Sequence, residues 1–175
     1  MGTTIPTVSV VIPAYNCGST IRQTIESCFA QSIRCHEIIV VNDGSTDSTA
    51  AVLQEFGDTI RVITQENRGL AAARNLGISR ASGDHVAWLD ADDLAEPQRF
   101  EIQSGVLDRY RELILVHSEF TAFGTEITNS AMPYSSTYYP VLRNDGTRHP
   151  FYDHELPACD SHDHVLPAVL HGKVT

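Results

Sequence analysis

The sequence predicts an α/β fold with a mostly parallel, doubly wound sheet. Strand-like apolar runs alternate with helical patterns four times before Tyr110. Those runs are continuous rather than alternating, as in strands covered on both faces. Polar residues collect just past three of them, at Tyr15-Asn16, Asp43 and Asp90-Ala91-Asp92-Asp93. Open α/β sheets bind ligands at that rim, beyond the carboxyl ends of the strands.

In order, Val8 to Ile12 is a β-branched run ended by Pro13. A helix follows, with Ser19 or Thr20 near its start and Ile21, Ile25, Cys28 and Phe29 on one face. Glu37 to Val41 reads as the second strand, closed by Asn42-Asp43-Gly44-Ser45. Ser45 is placed to cap a helix that turns Val52, Leu53 and Phe56 inward and stops at Gly57. Ile60 to Thr64 makes a shorter third strand. In the next helix, residues 70, 73, 77 and 81 form a stripe of mostly small side chains, which lets a helix lie close to a sheet. Val86 to Leu89 is the fourth strand. Pro97 suits a first helical position, and Ile102, Val106 and Tyr110 give that helix an inward face. Leu113 to Val116 is expected as a fifth strand, running on to Phe120. Thr125 to Asp145 reads as loop or short strands, with a turn signal at Asn144-Asp145-Gly146. Val165, Leu166, Val169 and Leu170 suggest a helix from near Asp163 to Gly172. Lys173-Val174-Thr175 resembles the opening of a further strand, so the chain is expected to continue past residue 175.

The acidic stretch after the fourth strand carries the chemistry. It places three carboxylates in four residues. Like charges so crowded raise one another's pKa, and a bound cation relieves the repulsion. In an extended segment Asp90 and Asp92 share a face, with Asp93 turned aside. Oxygen-only ligands favour Mg²⁺ or Mn²⁺, which complete their shells with water and substrate phosphate. A divalent metal on a diphosphate and a solvated acidic turn capping the next helix both fit this stretch by itself.

The totals narrow the classes. A chain of 175 residues with 42% hydrophobic content suits one domain with a proper core. Its 12 Lys and Arg against 22 Asp and Glu, a formal net charge of -10, include no basic block. A nucleic-acid reader is therefore not expected. No apolar run is long enough for a transmembrane helix, and Met1 to Thr7 lacks the pattern of a signal peptide. The four cysteines, Cys17, Cys28, Cys35 and Cys159, form no Cys-x-x-Cys pair and read as reduced thiols of a cytoplasmic protein. There is no Gly-x-x-x-x-Gly-Lys-[Ser/Thr] loop and no Gly-x-Gly-x-x-Gly after the first strand, so phosphate falls to a metal and to Arg68 or Arg74.

Four ordered segments resemble the family 2 glycosyltransferases. They are Val8 to Asn16, Val40-Val41-Asn42-Asp43-Gly44-Ser45-Thr46-Asp47, Asn67 to Asn75, and Asp90-Ala91-Asp92-Asp93. The resemblance covers residues 8 to about 110. It implies the Rossmann-like GT-A fold, a UDP-sugar donor, Mg²⁺ or Mn²⁺, and transfer with inversion to a glycan or lipid-linked acceptor, as in polysaccharide biosynthesis. It also implies residue roles. Pro13, Ala14 and Tyr15 flank base and ribose, and Asp43 accepts a hydrogen bond from the base. Arg74 lies near the nucleotide, its cation suited to Asp43 or phosphate. Asp90 and Ala91 meet the ribose or a metal-bound water, and Asp92, with Asp90, holds the metal. The family often has Asp where this chain has Asn42. Simpler structural roles remain open for several positions: a turn at Asp43, packing at Tyr15 and a helix N-terminus at Asp47. Trp88 reads as core.

Inversion in one displacement requires a general base at the acceptor hydroxyl. The family's Glu-Asp-like pair is missing; the corresponding region is Cys159-Asp160-Ser161-His162-Asp163-His164. Asp160 is the leading candidate, Asp163 the second and His162 an outside one, with helix capping the competing role for the aspartates. Five of the eight histidines fall between His149 and His171, but no spacing of zinc-site type supports a zinc centre there. The expected organisation is a single GT-A domain over 1–175, with 1–120 binding the donor and 121–175 opening the acceptor half. A cytoplasmic protein, peripheral at the inner face of a membrane, is expected. The competing function is a non-catalytic nucleotide-sugar-binding domain.

Overall fold

The computed structural model of the chain describes residues 6–119 and the backbone of 141–142 and 148–149. Four parallel strands, β1 (Val8–Ala14), β2 (Glu37–Asp43), β3 (Arg61–Gln65) and β4 (His85–Trp88), form one sheet in the order β3-β2-β1-β4. Between and after them run α1 (Ile21–Phe29), α2 (Thr49–Gln54), α3 (Leu70–Arg80) and α4 (Arg99–Arg109). The expected mostly parallel α/β sheet is thus present. Its strand order reverses direction at β1, between β2 and β4, which is where such sheets open a crevice.

Alternation along β1 divides the core into two layers. Val8, Val10, Ile12 and Ala14 join Ile21, Ile25 and Cys28 of α1, Leu53 of α2, and Phe100 and Leu107 of α4. Val11 belongs instead to a smaller cluster with Ile39, Val41 and Ala73 of α3. The predicted small stripe sets the spacing there. A Cβ on Gly77 would stand 2.3 Å from Val11 Cγ1, so α3 approaches the sheet as closely as a glycine allows. Burial pushes the Cys28 thiol up to about 12 and that of Cys35 to about 11. Both thiols, like that of Cys17, are free.

Several local expectations are corrected. β1 runs through Pro13 to Ala14, because the last β1–β4 pair is Val11 with Trp88 and the strand's β4 side is open beyond it. Phe29 is exposed, its ring 6.3 Å from that of Phe56, and Thr24 takes an interior place instead. The second helix starts at Thr49 rather than after Ser45, because Ser45 is engaged by the neighbouring loops. The inward residues of α4 are Phe100, Gln103, Ser104 and Leu107, a face rotated from Ile102, Val106 and Tyr110, which are half-buried. Leu113 to Val116 is not a strand; β5 begins at Ser118 (Ser118–Glu119). β6 (Val141–Leu142) and β7 (Arg148–His149) pair antiparallel on either side of the turn signal. The signal itself, the helix expected from Asp163 and the strand opening at Lys173 lie outside the described residues. Among those described, no helix is long and apolar enough to cross a membrane.

Candidate functional site

The rim is built by lacing the loops after β1 and β2 together. Asn16, with φ of 50°, sits in the left-handed region that Asn tolerates better than most residues. Its backbone N donates to Ser45 Oγ at 3.0 Å, and its Oδ1 accepts from Thr46 N at 2.8 Å. Ser45 N donates to Asn42 Oδ1 at 3.0 Å, which gives the residue where the family often has Asp a local structural task. Asp47 accepts from Thr49 N at 2.9 Å and Gly18 N at 3.0 Å. Its carboxylate therefore serves the start of α2, as the simpler reading held, and these hydrogen bonds keep its pKa low.

Asp43 closes β2 and is buried. Its Oδ1 accepts from Gln65 Nε2 at 2.6 Å and Arg68 N at 2.9 Å, and its Oδ2 accepts from Gly69 N at 2.8 Å. Burial pushes this carboxyl up, but those three donors outweigh it and hold the pKa below the ordinary value. Asp43 thereby anchors the loop that leads into α3. Three of about four acceptor positions are used, which leaves Oδ2 capacity for one further donor. Gly44, with φ of 73°, passes so close to this loop that a Cβ would stand 2.8 Å from Asn67 N.

The acidic turn follows β4. Asp93 N donates to the Asp90 carbonyl at 3.0 Å, with Ala91 and Asp92 at the centre of the turn. Asp90 Oδ1 accepts from Arg74 Nη2 at 2.6 Å, and the Arg74 guanidinium lies 5.6 Å from the Trp88 ring centre. Arg74 pairs with Asp90 rather than with Asp43, whose carboxylate is engaged by Gln65, Arg68 N and Gly69 N. Asp92 is exposed. Partial withdrawal from water, then the charges of Asp92 and Asp90, push Asp93 above its ordinary pKa.

A cleft of about 470 Å³ opens at the ends of β1 and β4, at the reversal point of the strand order. Pro13, Tyr15, Asp90, Ala91 and Asp92 line it, together with Asn16, Cys17, Ser19, Thr20 and Leu70. Tyr15 and Leu70 are about half exposed, at 52% and 51%, and offer apolar surface beside the carboxylates. Ala14, Asp43 and Arg74 are not among the lining residues, but each adjoins one: Ala14 lies between Pro13 and Tyr15 in the chain, Asp43 holds the loop that leads to Leu70, and Arg74 pairs with Asp90. Asp160, Asp163, His162 and the histidine-rich segment lie outside the described residues. The lining contributed by Cys17, Ser19, Thr20 and Leu70 escaped sequence reasoning. Its only signal was their position immediately after a strand or at a helix start.

The residues suit a phosphate-bound cation better than a protein-only cage. Among the described residues no three His, Cys, Asp or Glu side chains are grouped to hold a metal. Two carboxylates on one turn, Asp90 and the exposed Asp92, fit a hard cation that would take its other ligands from a diphosphate and water.

Comparisons with known proteins bear on the family and the fold. The family model described as Glycosyl transferase family 2 matches residues 9–155. A protein of Rickettsia typhi named as an uncharacterized glycosyltransferase is 41% identical over 104 residues, which cover 59% of this chain and 33% of that protein. The chain thus spans about a third of the length of this curated relative. The crystal structure of TarS from S. aureus superposes with a TM-score of 0.61 at 24% identity, over 71% of this chain and 23% of that one. That likeness concerns the fold. The mannosyltransferase PcManGT from Pyrobaculum calidifontis, in complex with GDP-Man and Mn²⁺, gives 0.50 at 29% identity over 59% of this chain and 32% of that one.

Proposed function

The chain belongs to glycosyl transferase family 2, and from that premise we propose that it is the donor-binding part of an inverting, metal-assisted hexosyltransferase using a UDP-sugar. One observation carries the reading. The cleft at the strand reversal is lined both by an exposed aromatic, Tyr15, and by the carboxylates of Asp90 and Asp92. That is the pairing a nucleoside diphosphate calls for: a ring surface for the base and anionic ligands for a phosphate-bound cation.

Pro13, Ala14 and Tyr15 flank the base and ribose. Asp43 receives the base's N–H through its remaining acceptor capacity. Arg74 holds Asp90 in place, and Asp90 with Ala91 meets the ribose or a water. A divalent cation, Mg²⁺ or Mn²⁺, held by Asp92 and Asp90 would neutralise the charge of the departing diphosphate. The Mn²⁺ in the 29% identical mannosyltransferase complex supports that choice of metal. Asp160, or failing it Asp163, takes the proton from the acceptor hydroxyl, which belongs to a glycan or a lipid-linked sugar. The whole forms a single GT-A domain over 1–175, with 1–120 holding the donor and 121–175 opening the acceptor half. Work at the cytoplasmic face of a membrane, in polysaccharide assembly, completes the proposal.

A second reading, a nucleotide-sugar-binding unit without transfer activity, is favoured by the missing Glu-Asp-like pair in the stretch Cys159 to His164. Binding of donor without transfer to any acceptor, even in a longer chain, would select it. The proposal itself is tested by thermal melting. UDP with Mn²⁺ is expected to raise the melting temperature above the effect of either alone, since ligands of the native state stabilise it. The absence of UDP stabilisation under every divalent metal tried would overturn it.

A further inference from the structure

We infer that Thr20 and Thr24 are positioning residues for Asp90 and Asp92, fixing the turn that presents both carboxylates; the inference rests on the donor-site reading above. The side of α1 facing the acidic turn is polar. Thr20, Thr24, Ser27 and Gln31 recur at intervals of four, three and four residues, a single stripe on a helix and its two ends. Every member bonds to the segment that follows β4. Thr20 Oγ1 and Thr24 Oγ1 each donate to the Ala91 carbonyl at 2.9 Å. Ser27 Oγ accepts from Ala95 N at 3.0 Å. Gln31 Nε2 donates to the Glu96 carbonyl at 2.7 Å, and Gln31 Oε1 accepts from Phe100 N at 3.1 Å.

The doubled bond on Ala91 is the informative one. Ala91 sits between the two carboxylates in the chain, and its carbonyl shares a rigid peptide plane with the Asp92 amide. Two hydroxyls converge on that oxygen, matching its two lone pairs, and restrict the orientation of the plane; Thr20 Oγ1 also lies 3.3 Å from the Cys17 carbonyl, whereas the Thr24 hydroxyl is committed to Ala91. A threonine within a helix ordinarily bonds back to its own preceding turn. Thr24 is fully buried yet spends its hydroxyl on a carbonyl 67 residues away. Metal ligands need such outer partners to hold their orientation, and losing one typically weakens metal binding about 10- to 100-fold.

The experiment compares wild type, Thr24→Val and Thr24→Ser. Two readouts are used: titration of UDP with Mn²⁺ or with EDTA, and hydrogen exchange over residues 90–93. The valine removes the hydroxyl at nearly constant shape; the serine keeps it. UDP affinity in Mn²⁺ should fall about tenfold or more in the valine variant, with faster exchange over 90–93, and both should return in the serine variant. Exchange in β1 should be unchanged. Wild-type affinity and exchange in Thr24→Val would overturn the inference, as would equal losses in the valine and serine variants. If Thr24→Val does not fold, Thr20→Val is read by the same criteria. Failure of wild type itself to bind UDP would sink the donor-site reading and this inference with it; wild-type binding unaffected by the valine sinks the inference alone.

Discussion

Replacing Gly77 by alanine should destabilise the fold, while the same change at Gly105 should not. Both glycines lie inside helices, where alanine is preferred by about 1 kcal/mol. At Gly77 the new Cβ would fall 2.3 Å from Val11 Cγ1 and 3.3 Å from Val41 Cγ2. Carbon atoms settle at about 3.5–4.0 Å, so helix and sheet must separate by about an ångström. Val11 and Val41 are fully buried at 0% exposure, and β-branched side chains have few rotamers to offer. Overpacking of this kind costs about 1–3 kcal/mol. An approach of 2.3 Å falls in the upper part of that range, about 2–3 kcal/mol, so after the helix preference of about 1 kcal/mol the net loss is about 1–2 kcal/mol, or a fall in melting temperature of about 2–8 °C. At Gly105 nothing lies within 4 Å of the added Cβ, so the preference stands alone and the protein gains up to about 1 kcal/mol. Thermal and urea unfolding of the two variants measures both signs. A Gly77→Ala protein that melts at or above wild type would refute the close packing of α3 on β1, and with it the placement of Arg74 beside Asp90.

Asp92→Ala should melt like wild type, because the side chain is exposed, yet lose the extra stabilisation that Mn²⁺ adds to UDP; thermal shift with and without metal measures this. Asp43→Asn opposes an N–H to one of the three donors that Asp43 accepts and should cost about 2 kcal/mol at pH 7 by urea unfolding. The folded-state pKa of Asp43 lies below its ordinary value, so its contribution is present above the ordinary carboxylate range and lost as pH falls through the folded pKa. The gap between wild type and Asp43→Asn should therefore stay constant above about pH 5 and narrow progressively as pH falls below about 4. Asp160→Ala should keep UDP binding and remove sugar transfer; transfer at the wild-type rate would move the proton acceptor to Asp163 or His162.

Much of this architecture could be read from the chain because its signals are local. β1 and β2 are continuous buried runs, and the stripe at Ala73 and Gly77 announces a helix lying close to a sheet. The rim residues were legible for the same reason: each follows a recognisable strand. What escaped depends on partners distant in sequence. Thr20, Thr24, Ser27 and Gln31 form a polar stripe, yet only the folded chain shows that their partners lie some 65 residues on. Arg74's cation suited Asp43 or phosphate by sequence; among the described carboxylates the folded chain pairs it with Asp90. The face of α4 was misplaced because Gln103 and Ser104 are buried despite their polarity, which periodicity of apolar residues does not register. Ser45 qualifies as a helix cap by type, but Asn16 and Asn42 engage it, and the helix starts at Thr49, whose N–H bonds Asp47.

The most direct measurement is a crystal structure grown with UDP and Mn²⁺, with anomalous diffraction used to locate the manganese. The account predicts an anomalous peak bridging the Asp92 carboxylate and the diphosphate, with the uracil against Tyr15. Manganese bound elsewhere, or UDP seated away from the ends of β1 and β4, would contradict it.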